Sequence, residues 1–128
     1  MTIADDLERQ HTLATATTRY DDLRMRDALA GVTDGGPLSQ AEALEMLALS
    51  EVLVRKASYG RQAMVRTARA AGASWTQIGA ALGSSKQAAW EAHNRWIEDQ
   101  AHQHQRTGYS GLDPDQVNEA RGLAGRPD

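Results

Sequence analysis

The feature that most constrains this chain is the ten-residue stretch ASWTQIGAAL between Gly72 and Gly83. Ser74 and Gln77 form a capping box, in which each side chain bonds the other's backbone N–H, and so open a helix over Trp75–Leu82. Gly83 supplies the positive φ that a tight helix end demands. Ser84 and Gln87 form a further box and open a second helix running to about Gln103. Two helices joined by so few residues cross at about 90–120°. Only a small residue allows backbones to meet at such a crossing, and Gly79 sits midway along the first helix to meet that demand. Ile78 and Leu82 then point inward, with Ala89, Ala92 and Trp96 as the buried face of the second helix.

The flanking sequence is also helical. Leu13, Ala16, Tyr20 and Leu23, preceded by Ile3 and Leu7, form one stripe and predict a helix over residues 3–30. Three Gly and one Pro between Gly31 and Pro37 end it. Ser39 and Glu42 make a capping box with Leu38 as a staple, opening one helix from about 39 to 71. Its stripe is Leu49, Leu53, Ala57, Gly60, Met64, Ala68 and Ala71; Gly60 either lets another helix approach or marks a break. Beyond Arg106 the chain is rich in Gly, Asp and Pro. It holds one short helix candidate, Asp113–Leu123, in a tail expected to be loosely held. With no Phe or Cys and only three Trp and three Tyr, the core must come from aliphatics and Ala. The expected fold is all-α: residues 1–36 an acidic helix and loop, 37–104 the main domain, 105–128 the tail.

Charge is unevenly placed. The net charge is −3, yet residues 1–54 carry four Arg against ten acids, a net −6. Residues 55–106 carry eight bases against three acids, a net +5, and residues 107–128 a net −2. A basic block beside an acidic one suits a nucleic-acid-facing segment, or simply a solvated helical surface. No run approaches the roughly 18 apolar residues of a membrane span, and the acidic N-terminus does not read as a signal peptide, so a cytoplasmic location without membrane partners is expected. The lack of Cys excludes disulfides and thiolate metal sites. No catalytic, cofactor or metal site is expected: His93, His102 and His104 read as solvated, and a non-enzymatic role follows.

The string SWTQIGAALGSSKQAA resembles the helix-turn-helix of trihelical DNA-binding domains. It is similar in particular to small actinobacterial helix-turn-helix proteins with a long Ala/Arg-rich helix ahead of the motif, over about residues 45–97. Ala89 and Ala92 depart from the larger aliphatics frequent there. The resemblance implies a regulator of transcription binding double-stranded DNA, with the helix at about 85–97 in the major groove. It implies an outward face of Ser85, Lys86, Gln87, Trp90, Glu91 and Asn94. On it, Lys86 would donate to guanine, Gln87 or Asn94 would pair with adenine, and Glu91 would meet cytosine or repel phosphate. Ser74, Thr76 and Gln77 would grip phosphate, with Arg66, Arg69 and Arg95 adding attraction. Ser74 and Ser84 with their Gln partners are also explained as caps, and Trp75 and Trp96 as core. An outward Trp90 reads as a contact surface for DNA, a second protomer or the N-terminal helix.

A homodimer through the acidic N-terminal helix would double the phosphate contacts. The rival reading is a protein-interaction module built on the same scaffold, binding a sigma factor, toxin or phage component through the acidic region or Trp90. A further reading has residues 1–54 masking the basic surface.

Overall fold

The computed structural model describes residues 1–127. They form seven helices and no strand, so the protein is all-α. The chain divides into two compact units, Met1–Gly60 and the residues from Arg61 onward. The division falls inside the expected 37–104 domain, and the second unit continues through the expected tail.

In the first unit, α1 (Ile3–Gln10) and α2 (Leu13–Ala28) both pack on α3 (Gln40–Tyr59). The expected single helix over 3–30 is broken. His11 and Thr12 are extended, and Thr12 and Thr15 cap α2 reciprocally, each hydroxyl accepting the other's backbone N–H. These short side chains compete with the helical ladder, which makes Thr12 a better start than interior. Ser39 and Glu42 cap α3 as expected, and Leu38 packs against its cluster. The core is Ala16, Leu23, Leu49 and Val52, with Leu7, Tyr20, Met46 and Leu53 around it. Arginines of the same unit engage many of its acids. Arg19 holds Glu45 through two 2.9 Å bonds, Arg26 holds Glu42, and Arg55 meets Asp5, Glu8 and Glu51.

The expected helix over 39–71 stops at Gly60. Nothing lies within 4 Å of where a Gly60 side chain would start, so this glycine marks a break and not a close approach. Met64, on the expected stripe, is 62% exposed, and Val65 is buried in its place within the second unit's core.

The second unit holds α4 (Arg61–Ala70), α5 (Trp75–Leu82), α6 (Lys86–Thr107) and α7 (Pro114–Ala124). Gly72 and Gly83 each end a helix at positive φ. In both, the following residue's N–H reaches five residues back, Ala73 to Ala68 O at 2.9 Å and Ser84 to Gly79 O at 2.8 Å. The core combines Val65, Trp75, Ile78, Ala89 and Ile97 with Val117, Ala120 and Ala124 of α7. The tail is therefore not loosely held: its helix buries three apolar residues at spacings of 3 and 4, each helping to exclude water from the core.

Candidate nucleic-acid interface

The turn between α5 and α6 is three residues long, Gly83 to Ser85. Gly79 is buried beneath it. A methyl group there would lie 2.8 Å from Ser84 O and 3.0 Å from Lys86 N, so the start of α6 rests directly on the α5 backbone. Ile78 is buried as expected, whereas Leu82 is 42% exposed and does not point inward. The buried face of α6 is Ala89, His93 and Ile97, not Ala89, Ala92 and Trp96; Ala92 and Trp96 are half-buried at its margins.

His93 is thus a core residue and not a solvated one. Its Nδ1 lies 2.9 Å from Gln62 Oε1, and its ring packs between Trp75 and Trp96, at centroid distances of 5.6 and 5.4 Å. Burial, aided by the Arg66 and Arg69 charges, holds its pKa below the ordinary value for histidine. His102 remains exposed. Among the described residues, no group of three or more His, Asp or Glu comes together as a metal site.

The residues expected to read DNA divide into two sets. Thr76, Gln77, Lys86, Gln87 and Arg95 are exposed, and the whole stretch from Gly83 to Ala88 faces solvent. Gln77 completes the α5 capping box, its Oε1 accepting from Ser74 N at 2.8 Å. Gln87 does not cap α6. Its amide donates to Glu91 at 2.9 Å, and Ser85, not Ser84, is the cap, its hydroxyl accepting from Ala88 N at 3.1 Å. The Ser84–Gln87 box is absent because Gly83 and Ser84 are both used to close α5, which moves the cap on by one residue.

Asn94 and Trp90 form the second set. Asn94 is half-buried, with its amide on Trp90 O at 2.9 Å. Trp90 is half-buried too, and its indole N–H donates to Gly125 O at 2.7 Å, so the C-terminal segment covers a side chain expected to face outward. Two of the expected phosphate-attracting cations are also engaged. Arg66 lies over the Trp96 ring, and Arg69 lies over Trp75 while bonding Ala73 O and Leu123 O. Among the described residues, Lys86 and Arg95 form no ion pair.

Sequence reasoning missed the part α7 takes in this unit. The signal was present in the spacing of Val117, Ala120 and Ala124 behind a capped Pro114 start, a short amphipathic helix. Among the described residues, no helix is long and apolar enough to cross a membrane. Comparison with family models, curated proteins and solved structures finds no match to this chain.

Proposed function

We propose that the exposed turns of α5 and α6 bind double-stranded DNA, and that the protein is a non-catalytic regulator of transcription. The observation that carries this reading is the solvent-facing first turn of α6, with Lys86 and Gln87 on it, together with the exposed Thr76 and Gln77 in the first turn of α5. Ser85 caps one backbone N–H of α6, which leaves earlier N–H groups and the positive end of the helix dipole for a phosphate. Lys86 suits guanine, and the free carbonyl side of Gln87 suits a base-edge donor. Arg95 adds attraction without sequence preference.

So few cations make a weak single contact, and the reading includes a homodimer. It is supported by α3, whose outer face carries Leu44, Leu47 and Val54 in the open, Leu47 at 67% exposure. A helix apolar on both faces is normally covered on both, and a second copy would cover this one. Fluorescence anisotropy against pooled genomic duplexes at low salt tests the reading. Binding that weakens in a Lys86→Ala, Gln87→Ala double variant is expected; absence of binding, or indifference to both changes, overturns it.

One observation favours a second reading, a protein-interaction module. Along α6, Arg95 is flanked by Glu91, Glu98 and Asp99 in a shallow groove that ends at Trp90. Acids in that position suit a basic protein partner better than a phosphate backbone.

A further inference from the structure

The last carbonyls of a helix have no partner within it. At the end of α7, Arg121 O is taken by Gly125 N at 3.0 Å. The next carbonyls in use are held by side chains of three different helices. Leu123 O accepts from Arg69 Nε of α4 at 3.1 Å, Ala124 O from Trp75 Nε1 of α5 at 2.7 Å, and Gly125 O from Trp90 Nε1 of α6 at 2.7 Å. Arg69 also places a positive charge at the negative end of the α7 dipole. The result is a clasp in which α4, α5 and α6 each fix one of three consecutive peptides.

This clasp determines where the following residue lies. Gly125 has φ 60° and ψ −139°, a conformation open to glycine and strained for other residues, and it turns the chain out of the helix. Arg126 comes next, exposed and without an ion pair among the described residues. Pro127 restricts it to extended backbone. The peptide leading into Arg126 is pinned to Trp90, one helical turn after Lys86, and its neighbour is pinned to Trp75, the residue before Thr76. The backbone that enters Arg126 is therefore tied to α5 and α6, the two elements that carry the proposed face.

We propose that Arg126 is a further phosphate-binding cation of that face, positioned there by the Trp90 and Trp75 clasp. Its guanidinium can bond two oxygens of one phosphate at once. Trp90 is a positioning residue, acting through Arg126. The inference rests on the DNA-binding reading and extends it, since neither the α5 nor the α6 sequence reveals a contribution from the C-terminal segment.

The test is anisotropy of the full chain against a labelled mixed-sequence duplex across a salt series. Arg126→Ala is expected to bind several-fold more weakly and to reduce the slope of log K against log salt by about 1, the signature of one lost phosphate contact. Trp90→Phe keeps an aromatic ring, smaller than the indole, but removes the N–H. It is expected to reproduce that loss with unchanged far-ultraviolet circular dichroism, and the two changes together should cost no more than either alone. If Lys86→Ala with Gln87→Ala weakens binding while Arg126→Ala leaves affinity and slope unaltered, the inference is overturned and the DNA reading stands. If the two losses add, Trp90 does not act through Arg126 and the clasp's role is overturned. If the unaltered chain fails to bind at low salt, the reading and the inference fall together.

Discussion

Replacing Gly79 with alanine sets two effects of known sign against each other. In an open helix interior the change stabilises by up to about 1 kcal/mol, because glycine loses more backbone freedom on folding. Here the new methyl would meet Ser84 O at 2.8 Å, Lys86 N at 3.0 Å and Ser85 C at 3.0 Å, all backbone atoms of one turn. That turn cannot simply retreat, since Ser84 N is bonded to Gly79 O itself at 2.8 Å and Gly83 is fixed in the left-handed region. One backbone clash and two tight backbone contacts place the cost at the upper end of the about 1–3 kcal/mol typical of overpacking. The net expectation is a loss of about 2 kcal/mol, or a urea midpoint about 1 M lower. Gly122 provides the matched control. It lies within α7 with nothing inside 4 Å, so Gly122→Ala should stabilise by about 0.5 kcal/mol. All three tryptophans lie in the second unit, so tryptophan fluorescence during urea unfolding reads that unit alone. A Gly79→Ala variant as stable as the original chain, or more stable than Gly122→Ala, would refute the close approach of the turn to α5.

Other outcomes follow from the charged and buried groups. His93 has a folded-state pKa below that of the unfolded chain, so the unfolded state binds its proton first. Its contribution to stability is complete above the ordinary histidine pKa of about 6.5 and is lost as pH falls from there toward the lowered value. The fluorescence urea midpoint should therefore drop between neutral and mildly acidic pH, and His93→Gln should flatten that drop; an equal drop in both proteins would contradict the assignment. Asp5 is held at about 2 by the backbone N–H of Thr2 and then by Arg55. Its carboxyl resonance in an NMR titration should have its midpoint there and move upward in Arg55→Ala. A midpoint near 4 in the unaltered chain would remove α1 from the ion-pair cluster.

The helix starts were legible wherever the signal is local. Ser39 with Glu42, Ser74 with Gln77, and Asp113 ahead of Pro114 all cap as their spacing implies, because a cap needs only residues within one turn. The helix interruptions were not. A stripe drawn through Gly60 continues smoothly on paper, but tertiary packing buries Val65 in place of Met64. The break before Thr12 likewise lay three residues ahead of the threonines that weaken the helix by propensity. At the candidate site, the exposure of Lys86 and Gln87 followed from the turn, which is local. The fate of Trp90 and Arg69 did not, because it depends on α7 returning to its clasp from tens of residues away in the chain. His93 was misread for a similar reason. Nothing near it in sequence announces Gln62, which gives its ring nitrogen a partner, or Trp75 on the neighbouring helix.

The charge division takes on a different meaning once ion pairs are placed. Asp5, Glu8, Glu42, Glu45 and Glu51 are engaged by Arg19, Arg26 and Arg55 within the first unit, so much of the N-terminal acidity serves that unit's own helix packing. Exposed ion pairs of this kind contribute modestly one by one and more as a network. In the second unit, by contrast, Lys86, Arg95 and Arg126 are exposed and form no ion pair among the described residues.

The most direct test of the central claim is a map of amide chemical-shift changes when duplex DNA is added to isotopically labelled protein at low salt. The largest changes are expected on Ser74–Gln77, on Ser84–Ala88 and at Arg126, with the buried α6 face at Ala89 and His93 moving less than Lys86 and Gln87. Changes concentrated on α3, or no changes at all while the protein remains folded, would contradict it.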